Sequence, residues 1–133
     1  MQPLQEQCAR DTLAGAEDGS LNFPAIVARL MAAGFESYAV DYRRSVAIYY
    51  LPDGGSIVVP MAYGGPAVAP LFDTAAVQAA IRDAQQEAPG YSYAGFCIRV
   101  MAAGCTGYFV SFTGRRVVYM GRTGDLHVEH FPA

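Results

Sequence analysis

The residues best placed to do chemistry stand at the end of the chain, in Asp125-Leu126-His127-Val128-Glu129-His130. In an extended strand alternate side chains share a face, so His127 and Glu129 point the same way and His130 points the other. An imidazole beside a carboxylate can act as an acid–base pair or share a metal ion. A metal needs three or four ligands, and the chain has only the two histidines. Tyr119, Arg116 and Arg122 lie close by in sequence and complete a candidate small-molecule site. Arginine pairs at Arg43-Arg44 and Arg115-Arg116 fall on turns, where a guanidinium fork can take phosphate or carboxylate or simply keep a turn hydrated. Tyr42, Tyr49, Tyr50, Tyr63, Tyr108 and Tyr119 offer flat apolar bodies with hydroxyls that can line a pocket or fill a sheet.

What must position these residues is a repeat. Met31-Ala32-Ala33-Gly34 recurs as Met101-Ala102-Ala103-Gly104, so that residue n of the first copy matches residue n + 70 of the second. From Phe23 onward about ten of some 36 aligned positions are identical, against two or three by chance, the mark of an internal duplication. Asn22 and Ser92 are matching helix caps. Phe23, Ile26, Val27 and Leu30 repeat at helical spacing, as do Tyr93, Phe96, Cys97 and Val100. Gly34 and Gly104 stop the helices.

After each glycine the period falls to two. Tyr38, Val40 and Tyr42 alternate, as do Tyr108, Val110 and Phe112, each followed by further β-branched and aromatic runs. Two-residue turns at Arg43-Arg44 and Thr113-Gly114, then at Asp53-Gly54 and Thr123-Gly124, place Tyr38 beside Tyr49 beside Val58, and Tyr108 beside Tyr119 beside Val128. These six residues form the face expected against the helices. A three-residue first turn is the competing register, and it buries Arg116.

Upstream, residues 3 to 17 form a first helix with Leu4, Cys8 and Ala16 on its inner side. Asp73 caps the corresponding helix of the second copy, with Val77, Ile81 and Ala84 inward. The expected fold is a single α+β domain, residues 1–133, made by internal duplication of a helix-helix-three-stranded antiparallel sheet unit with pseudo-two-fold symmetry. Repeat 1 spans about 3–60, an apolar Pro/Gly linker 61–72, and repeat 2 about 73–131. Pro60, Pro66 and Pro70 with Gly64-Gly65 preclude a regular element between the copies, and the apolar character of the linker suggests that it packs down on the rest of the molecule.

Composition narrows function. The chain is 53% hydrophobic and 16% charged, with a formal charge of −3 and nine basic residues, all arginine. That balance speaks against a nucleic-acid binder, which needs a basic surface, and no apolar run is long enough to span a membrane. The start, Met1 to Arg10, lacks the basic and apolar regions of a secretory signal, and the expected location is the cytoplasm. Cys8, Cys97 and Cys105 are accordingly expected to be reduced structural thiols. No phosphate loop, nucleophile elbow or dinucleotide glycine pattern is present. No cofactor, no metal and no catalytic residue is expected.

The segment Tyr91-Ser92-Tyr93 with Met101-Ala102-Ala103-Gly104, then Gly107-Tyr108, Thr113-Gly114-Arg115, Tyr119, Gly121-Arg122 and His127-Val128-Glu129, resembles the YbcV-like family of uncharacterised bacterial proteins, some described as phage envelope proteins. The likeness covers essentially the whole chain. It implies a shared fold and, at most, a mobile-element origin; it supplies no catalytic residues.

Two functional expectations follow. The first is a small non-enzymatic binding or protein-interaction module, forming a homodimer through an apolar sheet face that carries Val46, Ile48 and Tyr50 with Ala39, Ile57 and Val59. The second is a small-molecule-binding or weakly hydrolytic protein whose site on the second repeat uses His127 and Glu129. Under the expected register those two residues stand on the outer face with Phe109, Ser111, Arg116, Val118 and Met120. Their counterparts in the first repeat are Ile57 and Val59.

Overall fold

The computed structural model describes residues 1–62 and 67–132. Tyr63 and the Gly64-Gly65-Pro66 segment of the linker lie outside the described residues. Each repeat contributes two helices and three strands: α1 (Pro3–Asp18), α2 (Phe23–Ala32), β1 (Ser37–Asp41), β2 (Val46–Tyr50) and β3 (Ser56–Pro60), then α3 (Thr74–Gln85), α4 (Tyr93–Ala102), β4 (Cys105–Ser111), β5 (Arg116–Gly121) and β6 (Leu126–His130). The duplicated α+β unit is therefore present twice.

Local chemistry sets the helix ends. Asn22, Asp73 and Ser92 each accept a hydrogen bond from a first-turn amide, those of Ala25, Ala76 and Gly95. Gly34 and Gly104 take φ of +100° and +91°. In the first copy Gly34 N–H donates to Met31 and Phe35 N–H to Leu30, closing the last carbonyls of α2 in a Schellman motif. The buried stripe of α1 runs through Ala9, Thr12 and Leu13. Leu4, expected inward, is 83% exposed; it lies in the first turn, ahead of the stretch that lies over the sheet.

All six strands form one antiparallel sheet in the order β3-β2-β1-β4-β5-β6. β1 and β4 meet at its centre, where Ala39 pairs with Phe109. These two residues also match each other under the 70-residue offset, so the pseudo-two-fold axis passes between them, perpendicular to the sheet. The helices cover one face. There Tyr38, Val40, Ala47, Tyr49, Val110 and Tyr119 join Leu13, Leu30, Val77 and Val100 in one core.

The first hairpin of each copy has the expected register, Tyr38 with Tyr49 and Tyr108 with Tyr119. The connection is longer than expected, four residues rather than two, because Ser45 and Arg115 take left-handed backbone at matching positions.

The second hairpins depart from expectation by one residue. Tyr49 pairs with Ile57, not Val58, and Tyr119 with His127, not Val128. Pro52-Asp53-Gly54 and Arg122-Thr123-Gly124 form three-residue loops: Gly54 N–H donates to Leu51 and Leu51 N–H to Gly55, with the equivalent bonds at Gly121. Each loop is a reverse turn followed by a left-handed glycine, at φ +92° and +84°. A one-residue slip turns every side chain of a strand to the other face. Ile57, Val59, His127 and Glu129 therefore face the helices, and Val58 and Val128 face away, 50% and 39% exposed.

The described part of the linker packs down, with Met61 and Val68 buried. Ala69 N–H donates to Met101 and Asp73 N–H to Ala103. No helix among the described residues is long and apolar enough to cross a membrane.

Candidate functional site

The register places two side chains of β6 in an otherwise hydrophobic layer. The inward row Val59, Ala47, Val40, Tyr108, Tyr119 ends at His127, and the row Ile57, Tyr49, Tyr38, Val110, Val117 ends at Glu129. His127 Nε2 lies 2.6 Å from Glu129 Oε2, and the two side chains are 13% and 31% exposed. Tyr119 stands directly opposite His127, with ring centroids 6.3 Å apart. Three of the five candidate residues are thus assembled.

The other two are elsewhere. Arg116 projects from the uncovered face, its guanidinium Nε donating to Gly114 O. Arg122 sits on the β5–β6 loop and donates to Val68 O, tying the linker to that loop. Among the turn arginines, the Arg43 and Arg44 backbone amides are held by Asp41. Arg115 donates to Pro132 O and lies over the Phe131 ring.

Above Tyr119 and Glu129 the two helical hairpins separate and enclose a cavity of about 770 Å³. Its floor is Tyr38, Val40, Tyr49, Tyr108, Val117 and Tyr119; its walls include Leu13 and Thr12 of α1, Ile26 of α2, Ile81 of α3, and Tyr93 and Phe96 of α4. Its exposed rim is formed by Asp18 at the end of α1 and Gly19 just after it, Glu87 and Gly90 of the α3–α4 turn, and His130 and Pro132. Phe23 and Phe131 meet edge to face at 5.7 Å, joining the rim of the first repeat to the end of the second.

The lining has a distinct polarity. Six tyrosines reach it, Tyr38, Tyr49, Tyr91, Tyr93, Tyr108 and Tyr119. The Tyr93 and Tyr108 hydroxyls are 2.7 Å apart. Burial holds the phenols of Tyr38, Tyr49, Tyr93, Tyr108 and Tyr119 well above their ordinary ionisation range, so they are neutral hydrogen-bonding groups. Besides the tyrosines, the ionisable residues at the lining are Glu17, Asp18, Glu87, Glu129 and His130, and among the described residues no arginine lines it.

The same low-dielectric surroundings act on sulfur. Burial raises the Cys105 thiol to about 11 and also raises Cys8, so both are protonated near neutrality. Among the described residues no three His, Cys, Asp or Glu side chains are grouped to hold a metal ion.

Tyr38, Tyr91, Tyr93, Glu17 and Glu87 were not singled out in the sequence as site residues, although the Tyr91-Ser92-Tyr93 cap signalled two aromatic residues at the mouth of a helical turn. Of the tyrosines considered there, Tyr49, Tyr108 and Tyr119 line the cavity. Tyr42 is buried with its hydroxyl 3.5 Å from Cys97 Sγ, and Tyr50 points from the opposite face.

Neither models of known protein families nor curated proteins give a match to the chain.

Proposed function

We propose that the protein is a non-enzymatic small-molecule-binding module that takes a flat, apolar organic cation, an aromatic or alkyl ammonium, into the cavity between its helical hairpins. One observation carries this reading: a cavity of about 770 Å³ lined by six tyrosines and, among the described residues, by the carboxylates of Glu17, Asp18, Glu87 and Glu129. Ligand sites have this form, with volumes of roughly 300–1,000 Å³, a largely apolar lining and a few convergent polar groups. An ammonium group gains from aromatic faces and from carboxylates together, and an anionic ligand meets no compensating arginine. Glu129 stands on the inward row of the sheet, 2.6 Å from His127.

The hydrolytic alternative is supported less well. A covalent route needs a nucleophile beside the His127–Glu129 pair, and Tyr119, which stands opposite His127, is held neutral by burial. A cytoplasmic setting agrees with Cys8 and Cys105 being free thiols. The resemblance to YbcV-like proteins adds a bacterial or phage-related origin to this proposal and no chemistry.

The test is ligand discrimination. Phenethylammonium should raise the melting temperature and bind at least ~10-fold more tightly than the neutral 2-phenylethanol, with phenylacetate weaker still. Glu129→Gln and Tyr91→Ala should each weaken the ammonium selectively. Equal binding of all three compounds, preference for the carboxylate, or no binding at all would overturn the reading.

A further inference from the structure

The sheet face away from the helices carries three cross-strand rows. The central row, Val58, Ile48, Ala39, Phe109, Val118 and Val128, is apolar across all six strands. One flanking row is Pro60, Val46, Asp41, Gly107, Met120 and Leu126, with Asp41 the only charge; the other is Ser56, Tyr50, Ser37, Ser111, Arg116 and His130. No helix among the described residues covers this face, and Leu126 is 62% exposed.

We infer that a second copy of this chain covers it, sheet against sheet, about a two-fold axis that runs parallel to the strands between β1 and β4. Size comes first. Six strands at ~4.8 Å and five residues at ~3.4 Å give a projected footprint on the order of 500 Å². Corrugation by side chains raises the accessible area toward the ~800 Å² per partner typical of a stable interface. The apolar rows within this footprint reach the upper range of what a soluble monomer exposes.

The choice of axis follows from the duplication. Rotation about an axis along the strands sets each strand opposite its repeat-equivalent in the other copy, at unchanged height. Phe109 then faces Ala39, a large ring over the smallest side chain of the row. Val118 faces Ile48, Val128 faces Val58, and Met120 faces Val46. Arg116 faces Tyr50, a pairing that lets the guanidinium lie on an aromatic ring. Asp41, already engaged by the Arg43 and Arg44 amides, faces Gly107. Rotation about an axis across the strands instead sets Phe109 on Phe109 and Arg116 on Met120, a crowded pair and a charge on an apolar group. The Ala39/Phe109 difference at the pseudo-two-fold axis is thus the feature that lets two copies interlock.

Sedimentation equilibrium of the full chain tests this. At ~100 µM, where a micromolar dimer is saturated, the wild type should have twice the 14.2 kDa chain mass. Val118→Glu and Ile48→Arg should each raise the dissociation constant at least ~100-fold, and the double variant, whose new charges meet only across the interface, should recover at least ~10-fold. Val58→Asp with Val128→Asp, at positions already exposed in one copy, guards against loss of folding and should also give a single-chain mass. A wild type at 14.2 kDa, dimers that persist in these variants, or a double variant without recovery would overturn the proposal.

Discussion

His127 Nε2 and Glu129 Oε2 lie 2.6 Å apart on the inward face of an edge strand, where the matching residues of the first repeat are Ile57 and Val59. The pair is partly exposed, so its attraction is worth little against the desolvation of two polar groups. Converting the second repeat to the first, His127→Ile with Glu129→Val, should leave thermal stability equal or higher while abolishing ammonium binding. Denaturant melts and calorimetric titration of the same sample separate the two effects. A large loss of stability would show that the pair is structural and not retained for a ligand.

Matched glycines of the two repeats should respond differently to alanine. Both Gly34 and Gly104 have left-handed backbone, which costs a residue with a Cβ about 1 kcal/mol. At Gly34 the added Cβ meets only the Gln5 side-chain amide at 3.4 Å, whereas at Gly104 it would lie 2.1 Å from the Leu71 carbonyl oxygen. Backbone there cannot swing aside without moving the linker. Gly34→Ala should therefore cost about 1 kcal/mol and Gly104→Ala about 3 kcal/mol or more in urea melts. Equal costs would mean that the linker is not fixed against the end of α4.

Val58 and Val59 provide a direct check on the strand register. Val59 is buried against the helices, and Val58 is half exposed on the other face. Val59→Ala should destabilise the single chain by about 1–2 kcal/mol, and Val58→Ala by less than about 0.5 kcal/mol, measured at concentrations low enough to exclude association. The reverse order would restore the two-residue turn.

That register marks the limit of what could be read from the chain. Helices, caps and the first hairpins follow from side-chain patterns that a repeat states twice, and the agreement of Tyr38 with Tyr49 and of Tyr108 with Tyr119 is such a case. The second hairpins turn on Pro52-Asp53-Gly54 and Arg122-Thr123-Gly124, where a short Asp-Gly or Thr-Gly turn and a longer loop ending in a left-handed glycine use the same letters. Choosing the shorter loop put Val58 and Val128 inside and left His127 and Glu129 on the outer face. The identity of Val58 and Val128 between the copies supported that choice, but those valines serve the outer row. The cavity was not legible at all, because Thr12, Tyr38, Tyr91 and Glu129 come together only through the packing of four helices on a sheet whose strand order joins β1 to β4.

The buried phenols predict how the fold fails in alkali. Tyr38, Tyr42, Tyr49, Tyr108 and Tyr119 are each at most 7% exposed, and burial raises all five above the ordinary phenol value of 10.0. For an acid whose folded pKa is raised, the unfolded chain loses its proton first. The stabilisation is whole below pH 10 and declines as pH rises from there toward the folded values. Each phenol contributes up to about 1.4 kcal/mol per pH unit in that window, so five acting together should produce a steep, cooperative transition above pH 10. The tyrosinate absorbance of these five and the circular dichroism should change in a single step. Replacing Tyr119 by Phe removes one such group without removing its ring, and should make the transition shallower and shift it to higher pH. Smooth titration of all the tyrosines near pH 10 with no loss of circular dichroism would show that these rings are reached by water in the folded chain, and the closed tyrosine floor of the cavity would have to be given up.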